Sequence, residues 1–577
     1  MRRWRRENIE VAAFVMRFFR PFSHRFFAGA ALLGVFVVAA QIQNRALAQF
    51  SSAPENSSNP ILKLPAPPSK KSGAVSQPFK AQSPIPQKMK GKSAPVVIAV
   101  STSEPIPIPK LPLRFPGQKI VRVGLSTKGG AIAVYLPGGA TLFDLNQPGL
   151  TLSPSRGAQL QFLFGAPRSF KRGAKVFRGP ISVATPSGNF AGWQRIYIAV
   201  AGEPARVSSN NQSARYARPY RGDLEVFPQK MGEPVQRKGA LSLVNVLPLE
   251  AYLKGVVPWE MSPDAPLEAL KAQAICARTK TLDFVRGKRF SKGNFDICDY
   301  DACQGYPGTE NEKLATSAAV EATKGLAIYQ NGRPIDAVYS TNSGGVTASA
   351  RDVWKGTTPI SYLQSVPDFP ADSPLAKLWQ DGMTEAEWAQ FCARDWPSYA
   401  RPDGIAPTKY EARKYRWNQE ISVPEASKAF VADGIARVTN IQILERAASG
   451  RIRRLRVSGF APSKTPTQIE ITPPQQLKIQ ELRIQELETP KSVDLEGDGK
   501  IRAMFSKRLG STTALPSSLF TISPLTDASG QIIGWNLQGA GWGHGVGMCQ
   551  RGAQNHAREG WDARKILNFY YRGVEIR

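Results

Sequence analysis

The sequence predicts an α+β fold, mainly antiparallel β with a few packed helices, preceded by a signal or anchor segment and a disordered linker. Three observations predict it. Short apolar stretches separated by Gly and Pro run from about residue 120 to 250; two helical patterns follow them; and the first 118 residues are first arginine-rich, then rich in Pro, Ser and Lys. The chain has 577 residues, whereas single cores rarely grow far beyond about 250–300 residues, so one compact domain does not account for all of it.

Residues 1–48 have the pattern of an export segment. Arg2, Arg3, Arg5, Arg6, Arg17, Arg20 and Arg25 precede an uncharged apolar run from Phe26 to Ala40, and Ala46 and Ala48 form an Ala-x-Ala cleavage pattern before Gln49. A spanning helix usually needs about 20 apolar residues, so cleavage is favoured over a retained N-terminal membrane anchor. Either way the rest of the chain is expected outside the cytoplasm, periplasmic, in the cell wall or secreted. Residues 49–118, with runs such as Ala66-Pro67-Pro68-Ser69-Lys70-Lys71, cannot bury enough apolar surface to fold and are expected to form a tether.

The formal charge is +30, from 75 basic and 45 acidic residues. Export argues against nucleic acid as the partner, and no zinc-finger or basic-zipper pattern is present. A basic exported chain is instead drawn to anionic envelope polymers. Five cysteines, Cys276, Cys298, Cys303, Cys392 and Cys549, are too few for a disulfide scaffold, and the odd number leaves at least one unpaired within the chain.

Within 119–577, strands are expected at Lys119–Leu125, Ala131–Tyr135, Gln194–Val200 and Leu241–Val246. Ser262-Pro263-Asp264 reads as a helix start, with Leu267, Leu270, Ala274, Ala277 and Thr281 on one face. A second helix is expected over Lys313–Lys324, stopped by Gly325, then strands Gly325–Tyr329 and Ile335–Ser340. Residues 370–535 are less regular and read as insertions of unknown role, including the repeated units Lys478-Ile-Gln-Glu-Leu and Arg483-Ile-Gln-Glu-Leu. The last forty residues hold a glycine-rich loop, Gly539–Gly547, and a helix around Gln550–Arg558.

Three blocks carry a resemblance. Asn245-Val-Leu-Pro-Leu-Glu-Ala-Tyr-Leu-Lys-Gly-Val-Val-Pro-Trp-Glu260-Met261 leads into Glu268-Ala-Leu-Lys271-Ala-Gln273-Ala-Ile-Cys-Ala-Arg278-Thr279; Tyr339-Ser-Thr-Asn-Ser343-Gly344-Gly345 follows; and Gly543-His544-Gly545-Val-Gly547-Met548-Cys549-Gln550 stands near the end. Together they resemble the stage II sporulation protein D (SpoIID) family over roughly residues 120–365 and 500–577. The resemblance implies a lytic transglycosylase that cleaves the bond between N-acetylmuramic acid and N-acetylglucosamine in glycan strands stripped of stem peptides, with Glu260 as general acid and then base. As an alternative it also permits a non-catalytic wall-binding protein that enhances an amidase, so glycan strands and an amidase or other wall hydrolase are the expected partners. Nothing in these residues implies a spore.

Ordinary glycosidases need two carboxylates. One suffices when the sugar's own C6 hydroxyl closes onto C1. The carboxyl must start protonated, which an apolar pocket of Pro258, Trp259 and Met261 would promote, while a helix N-terminus at Ser262 would oppose it. Lys271, Gln273, Arg278, Ser343, His544 and Gln550 are assigned by the resemblance to substrate binding. Lys271 could equally pair with Glu268 three residues back, and His544 could equally be a structural hydrogen-bonding group. Members commonly have Ser where Cys549 stands. Some relatives bind zinc through a histidine and two cysteines near Cys298 and Cys303; here no histidine is adjacent, so no cofactor is certain, zinc stays open, and redox compartment favours a disulfide.

Overall fold

The computed structural model of the chain describes residues 114–577 apart from 127–130, 173, 210–216, 230–240, 291–292, 355, 357, 403–408, 463–488 and 506–513. The expected export segment, the tether up to residue 113 and the 478–487 repeat lie outside the described residues. Arg114, within the last five residues of the expected tether, pairs with the buried Asp223 carboxylate at 3.0 Å.

Two antiparallel sheets form the first half. One has seven strands in the spatial order Ile297–Cys298, Ile120–Leu125, Leu241–Pro248, Asp223–Pro228, Ile196–Val200, Ala140–Asp144 and Thr151–Leu152. Only the Ile297–Cys298 pairing is parallel. The other has six strands, with Ala131–Leu136 and the long Ala158–Arg172 and Lys175–Thr185 at its centre. Alternation explains the packing: Val121, Val123 and Leu125 are buried while the residues between them are half-buried, as period-2 strands require. These side chains share one apolar core with Ile132, Val134, Phe162 and Ile181 of the other sheet.

Strand Leu241–Pro248 runs straight into helix α1 (Leu249–Glu260), which the sequence did not signal as a helix because Gly255 and Pro258 interrupt its apolar face. Tyr252, Leu253, Val256 and Val257 bury that face. Helix α2 (Leu267–Gly287) begins after Pro266, not at Ser262, and is buried on nearly every side, from Ala269 through Leu282. Its Ala274 and Ala277 serve the first core; its Ala272, Ile275 and Cys276 serve a second core with Val338, Val546, Met548 and the C-terminal helices. Helices α3 (Leu314–Ala322), α4 (Gln550–Arg558) and α5 (Ala563–Tyr570) pack against α2. The expected helices at 313–324 and 550–558 are therefore present.

The irregular middle is ordered where it is described. It holds two three-stranded antiparallel sheets, Arg416–Ser422 with Ile532–Ala540 and Phe520–Thr526, and Arg437–Arg446 with Ile452–Phe460 and Pro490–Glu496. Trp417, Phe430, Val457, Phe505 and Trp535 fill their shared core. Among the described residues no helix is long and apolar enough to cross a membrane.

Candidate active site

Glu260 is the last residue of α1, and the chain turns to extended backbone at Met261. Pro258 in the last turn and the short link to α2 fix that exit. The carboxyl therefore lies at a helix C-terminus, whose partial negative charge disfavours the anion. The expected opposing dipole from a helix start at Ser262 is absent, because α2 starts five residues later. Burial is the main influence on this carboxyl and pushes its pKa up to about 7. A hydrogen bond from the Gly305 backbone N–H to Oε1, 2.9 Å long, pulls the other way; Asp301 raises it further, and Lys280 and the Tyr339 phenol lower it. At neutral pH roughly half of such groups carry a proton.

Trp259 supplies the apolar wall. Its indole is 51% exposed yet lies so close over Gly305 that a Cβ there would stand 1.9 Å from the ring. Glycine is required at 305 for that approach, and the same backbone presents the N–H to Glu260. Cys298 and Cys303 are joined as a disulfide across the preceding loop. Asp299 in that loop accepts from the Ser126 N–H at 2.9 Å and its hydroxyl at 2.6 Å; beyond it, Gln304 donates to Thr281 at 3.0 Å and accepts from the Tyr339 phenol at 3.3 Å. Tyr306 donates to Asn245 at 2.8 Å. Every few residues, then, the loop is tied to the sheet or to α2.

This disulfide also decides what the cysteine pair can hold. Among the described residues no group of three His, Cys, Asp or Glu side chains is placed to bind a metal. With both sulfurs bonded to each other and no adjacent histidine, the residues present do not fit a zinc site.

Gln550, the first residue of α4, donates from Nε2 to the Glu260 carbonyl at 2.8 Å and to Gln273 Oε1 at 3.2 Å. Both glutamines are buried. They set the helix end that carries Glu260 rather than reaching outward. Cys549 caps α4, its sulfur accepting from the Gly552 N–H at 3.3 Å and the Ser343 N–H at 3.2 Å. The thiol thus serves where a serine hydroxyl would cap, and burial pushes its pKa up.

The remaining nominated residues divide. Lys271 bonds Glu268 at 2.7 Å, the helix-surface pair the spacing allowed. Arg278 is 1% exposed and fully engaged: Nε and Nη2 bind Glu250 at 2.9 and 2.6 Å, and further donors reach the carbonyls of Val320 and Leu326. With Nη1 also donating to the Thr323 hydroxyl at 3.4 Å, every donor is used inside the protein, and Arg278 forms an internal strut instead of the substrate contact assigned to it by the resemblance. Ser343 is likewise buried, donating to Asp368 at 2.8 Å.

His544 sits in the turn Gly543–Gly547. Burial pushes its pKa down to about 4, assisted by the Arg451, Lys280 and Arg502 charges and opposed by Asp498. The imidazole is neutral at neutral pH, and because Nδ1 accepts the Val546 N–H at 3.0 Å, the ring proton belongs on Nε2. Trp354 packs against the ring at 5.3 Å. Lys280 acts on the charge of both Glu260 and His544, while its Nζ pairs with Asp336 at 3.0 Å. Among the described residues the exposed large aromatics are Phe164, Trp259, Tyr300 and Trp354. All but Phe164 border Glu260, its disulfide loop or His544. Sequence reasoning missed Gly305, Tyr339 and Lys280 as site residues, although Tyr339 opens one of the quoted blocks and Gln304-Gly-Tyr306 adjoins the cysteine pair.

Residues 237–329, spanning α1, α2 and the disulfide loop, match the family model described as Stage II sporulation protein. That region is similar to the SpoIID family. A second model, a domain of unknown function, matches residues 475–547. The chain is 29% identical over 337 residues to an uncharacterized protein of Brachyspira hyodysenteriae, covering 58% of this chain and 68% of that one. It is 27% identical over 325 residues to a Bacillus subtilis protein named amidase enhancer, covering 56% of this chain and only 40% of the relative. A protein of Bacillus amyloliquefaciens named stage II sporulation protein D is 26% identical over 358 residues, covering 59% of this chain and 78% of the relative.

Proposed function

We propose that this chain is an exported lytic transglycosylase that cleaves peptidoglycan glycan strands without consuming water. The observation that carries the proposal is the Glu260 carboxyl, held at a pKa of about 7 beside the half-exposed Trp259. In the neutral form it donates its proton to the oxygen linking muramic acid C1 to the next sugar; that C–O bond breaks and the N-acetylglucosamine end leaves as an alcohol. The resulting carboxylate is stabilised by the Gly305 N–H and Tyr339 phenol. It then takes the proton from the muramyl C6 hydroxyl as O6 bonds to C1, giving a 1,6-anhydro end and restoring the acid. One carboxyl serves both steps, so no partner carboxylate is needed. Trp259, Tyr300 and Trp354 give sugar rings apolar faces to lie on.

The name of the Bacillus subtilis relative favours a second reading, a non-catalytic wall protein that enhances an amidase. Incubating the full chain with peptide-stripped strands separates the two. Anhydro-muramyl ends in the mass spectrum support cleavage; their absence together with stimulation of an added amidase supports enhancement.

A further inference from the structure

We propose that Arg451, contributed by the inserted β region, is a positioning residue that sets the His544 turn for substrate binding. The proposal rests on the lytic-transglycosylase reading for its substrate, a glycan strand, but not for its geometry. Arg451 stands at the start of strand Ile452–Phe460 and is fully buried. Its Nη1 donates to the Gly543 carbonyl and its Nη2 to the Ser343 carbonyl, each at 3.4 Å. Nε has no partner, and among the described residues no carboxylate forms an ion pair with the guanidinium. A buried, incompletely paired cation is costly, and this one stands at the join of the two segments that border Glu260 and His544.

The fit at the turn is close. A Cβ on Gly545, whose φ is +73°, would stand 1.9 Å from Nη2, so the guanidinium occupies the space a side chain would take. The same inserted region holds the turn through its backbone: Gly541 N–H donates to the Tyr415 carbonyl at 3.0 Å and Gly543 N–H to the Pro516 carbonyl at 2.8 Å. From the other side the Ala348 N–H donates to the Gly545 carbonyl at 2.8 Å. His544, between Gly543 and Gly545, is thereby fixed with Nδ1 occupied and Nε2–H free to donate to a saccharide oxygen. The charges acting on that ring are those of Asp498, Arg451, Lys280 and Arg502, and the Trp354 indole packs against it. Arg451 also joins the turn to the Tyr339–Gly345 segment, whose first residue faces Glu260. The insertion is therefore part of the site.

The test compares Arg451→Met, Arg451→Lys, His544→Ala and the Arg451→Met/His544→Ala double variant in the full chain. Expected for Arg451→Met is a rise in KM for stripped strands on the order of tenfold to a hundredfold, a smaller change in kcat, and an unshifted basic limb of the pH profile. In ring-15N spectra the His544 titration should move up from about 4. The double variant should bind strands no worse than His544→Ala. Arg451→Lys, which keeps the charge and loses the fork, should fold and still raise KM and shift the His544 ring resonances. Unchanged KM and unchanged His544 resonances in Arg451→Lys, or additive losses in the double variant, would overturn the proposal. Should wild type release no anhydro ends, the cleavage reading fails alone, because the His544 titration and strand binding still report on Arg451.

Discussion

Glu260 and Gln550, 290 positions apart, are joined by a single hydrogen bond of 2.8 Å from the Gln550 amide to the Glu260 main-chain carbonyl. A helix C-terminus leaves its last carbonyls unpaired, and here the first residue of α4 supplies the partner. The exit of α1, and with it the direction of the acid, is set by the far end of the chain. The Gly305 N–H sets the carboxyl itself, and the two bonds act on different atoms of one residue.

A protonated acid with a pKa of about 7 makes cleavage fall as pH rises through 7. The Tyr339 phenol favours the anion, so Tyr339→Phe should raise the Glu260 pKa and carry the basic limb of kcat/KM to higher pH. Steady-state rates from pH 5 to about 9 read this directly. A limb that moves down would mean Tyr339 does not face the carboxylate.

Stability should report the same group and also fall as pH rises. The folded pKa, about 7, exceeds the ordinary 4.5, so the folded state holds this proton more tightly. Glu260 then costs stability progressively as pH rises from 4.5 to 7, and up to roughly 3 kcal/mol above that window. Glu260→Gln keeps an oxygen for Gly305 and cannot ionise. It should raise the urea midpoint at pH 8 and change it little at pH 4.5. Equal shifts at both values would contradict a half-buried carboxyl that titrates in this range.

These features were unequally legible in the sequence. Alternation marked the strand at Ile120–Leu125 because one of its faces is buried and the other is not. Helix α1 escaped because a glycine and a proline stand in it, and both are tolerated only through packing: a Cβ at Gly255 would meet the Gly308 carbonyl at 2.5 Å, and Pro258 falls in the last turn. The acid was legible as a residue, but its surroundings come from a loop and a strand far along the chain. Arg278 and Ser343 misled because burial is invisible in a motif: residues fixed for an internal strut read the same as residues fixed for a ligand.

The Cys298–Cys303 disulfide closes a loop of only a few residues, so its loss should cost about 2 kcal/mol or less through chain entropy. The loop leads to Gly305, however, and activity should suffer more. Replacing both cysteines with alanine should lower kcat on the order of tenfold with a modest drop in Tm. Thiol titration against rate during reduction offers an independent check. Full activity in the reduced protein would remove the loop from the account.

Arg278 should behave as a strut. Arg278→Ala leaves Glu250 and two carbonyls without their donor and should cost roughly 3–5 kcal/mol by denaturant unfolding. Preference for stripped strands should not change in whatever folded enzyme remains. An unchanged unfolding midpoint with altered preference would return Arg278 to the substrate.

The central claim is that one carboxyl carries both proton transfers, and product mass spectrometry tests it most directly. Wild-type chain with peptide-stripped strands should release fragments ending in 1,6-anhydro-muramic acid, and Glu260→Gln, folded and at equal concentration, should release none. Hydrated reducing ends from the wild type, or undiminished anhydro ends from Glu260→Gln, would contradict it.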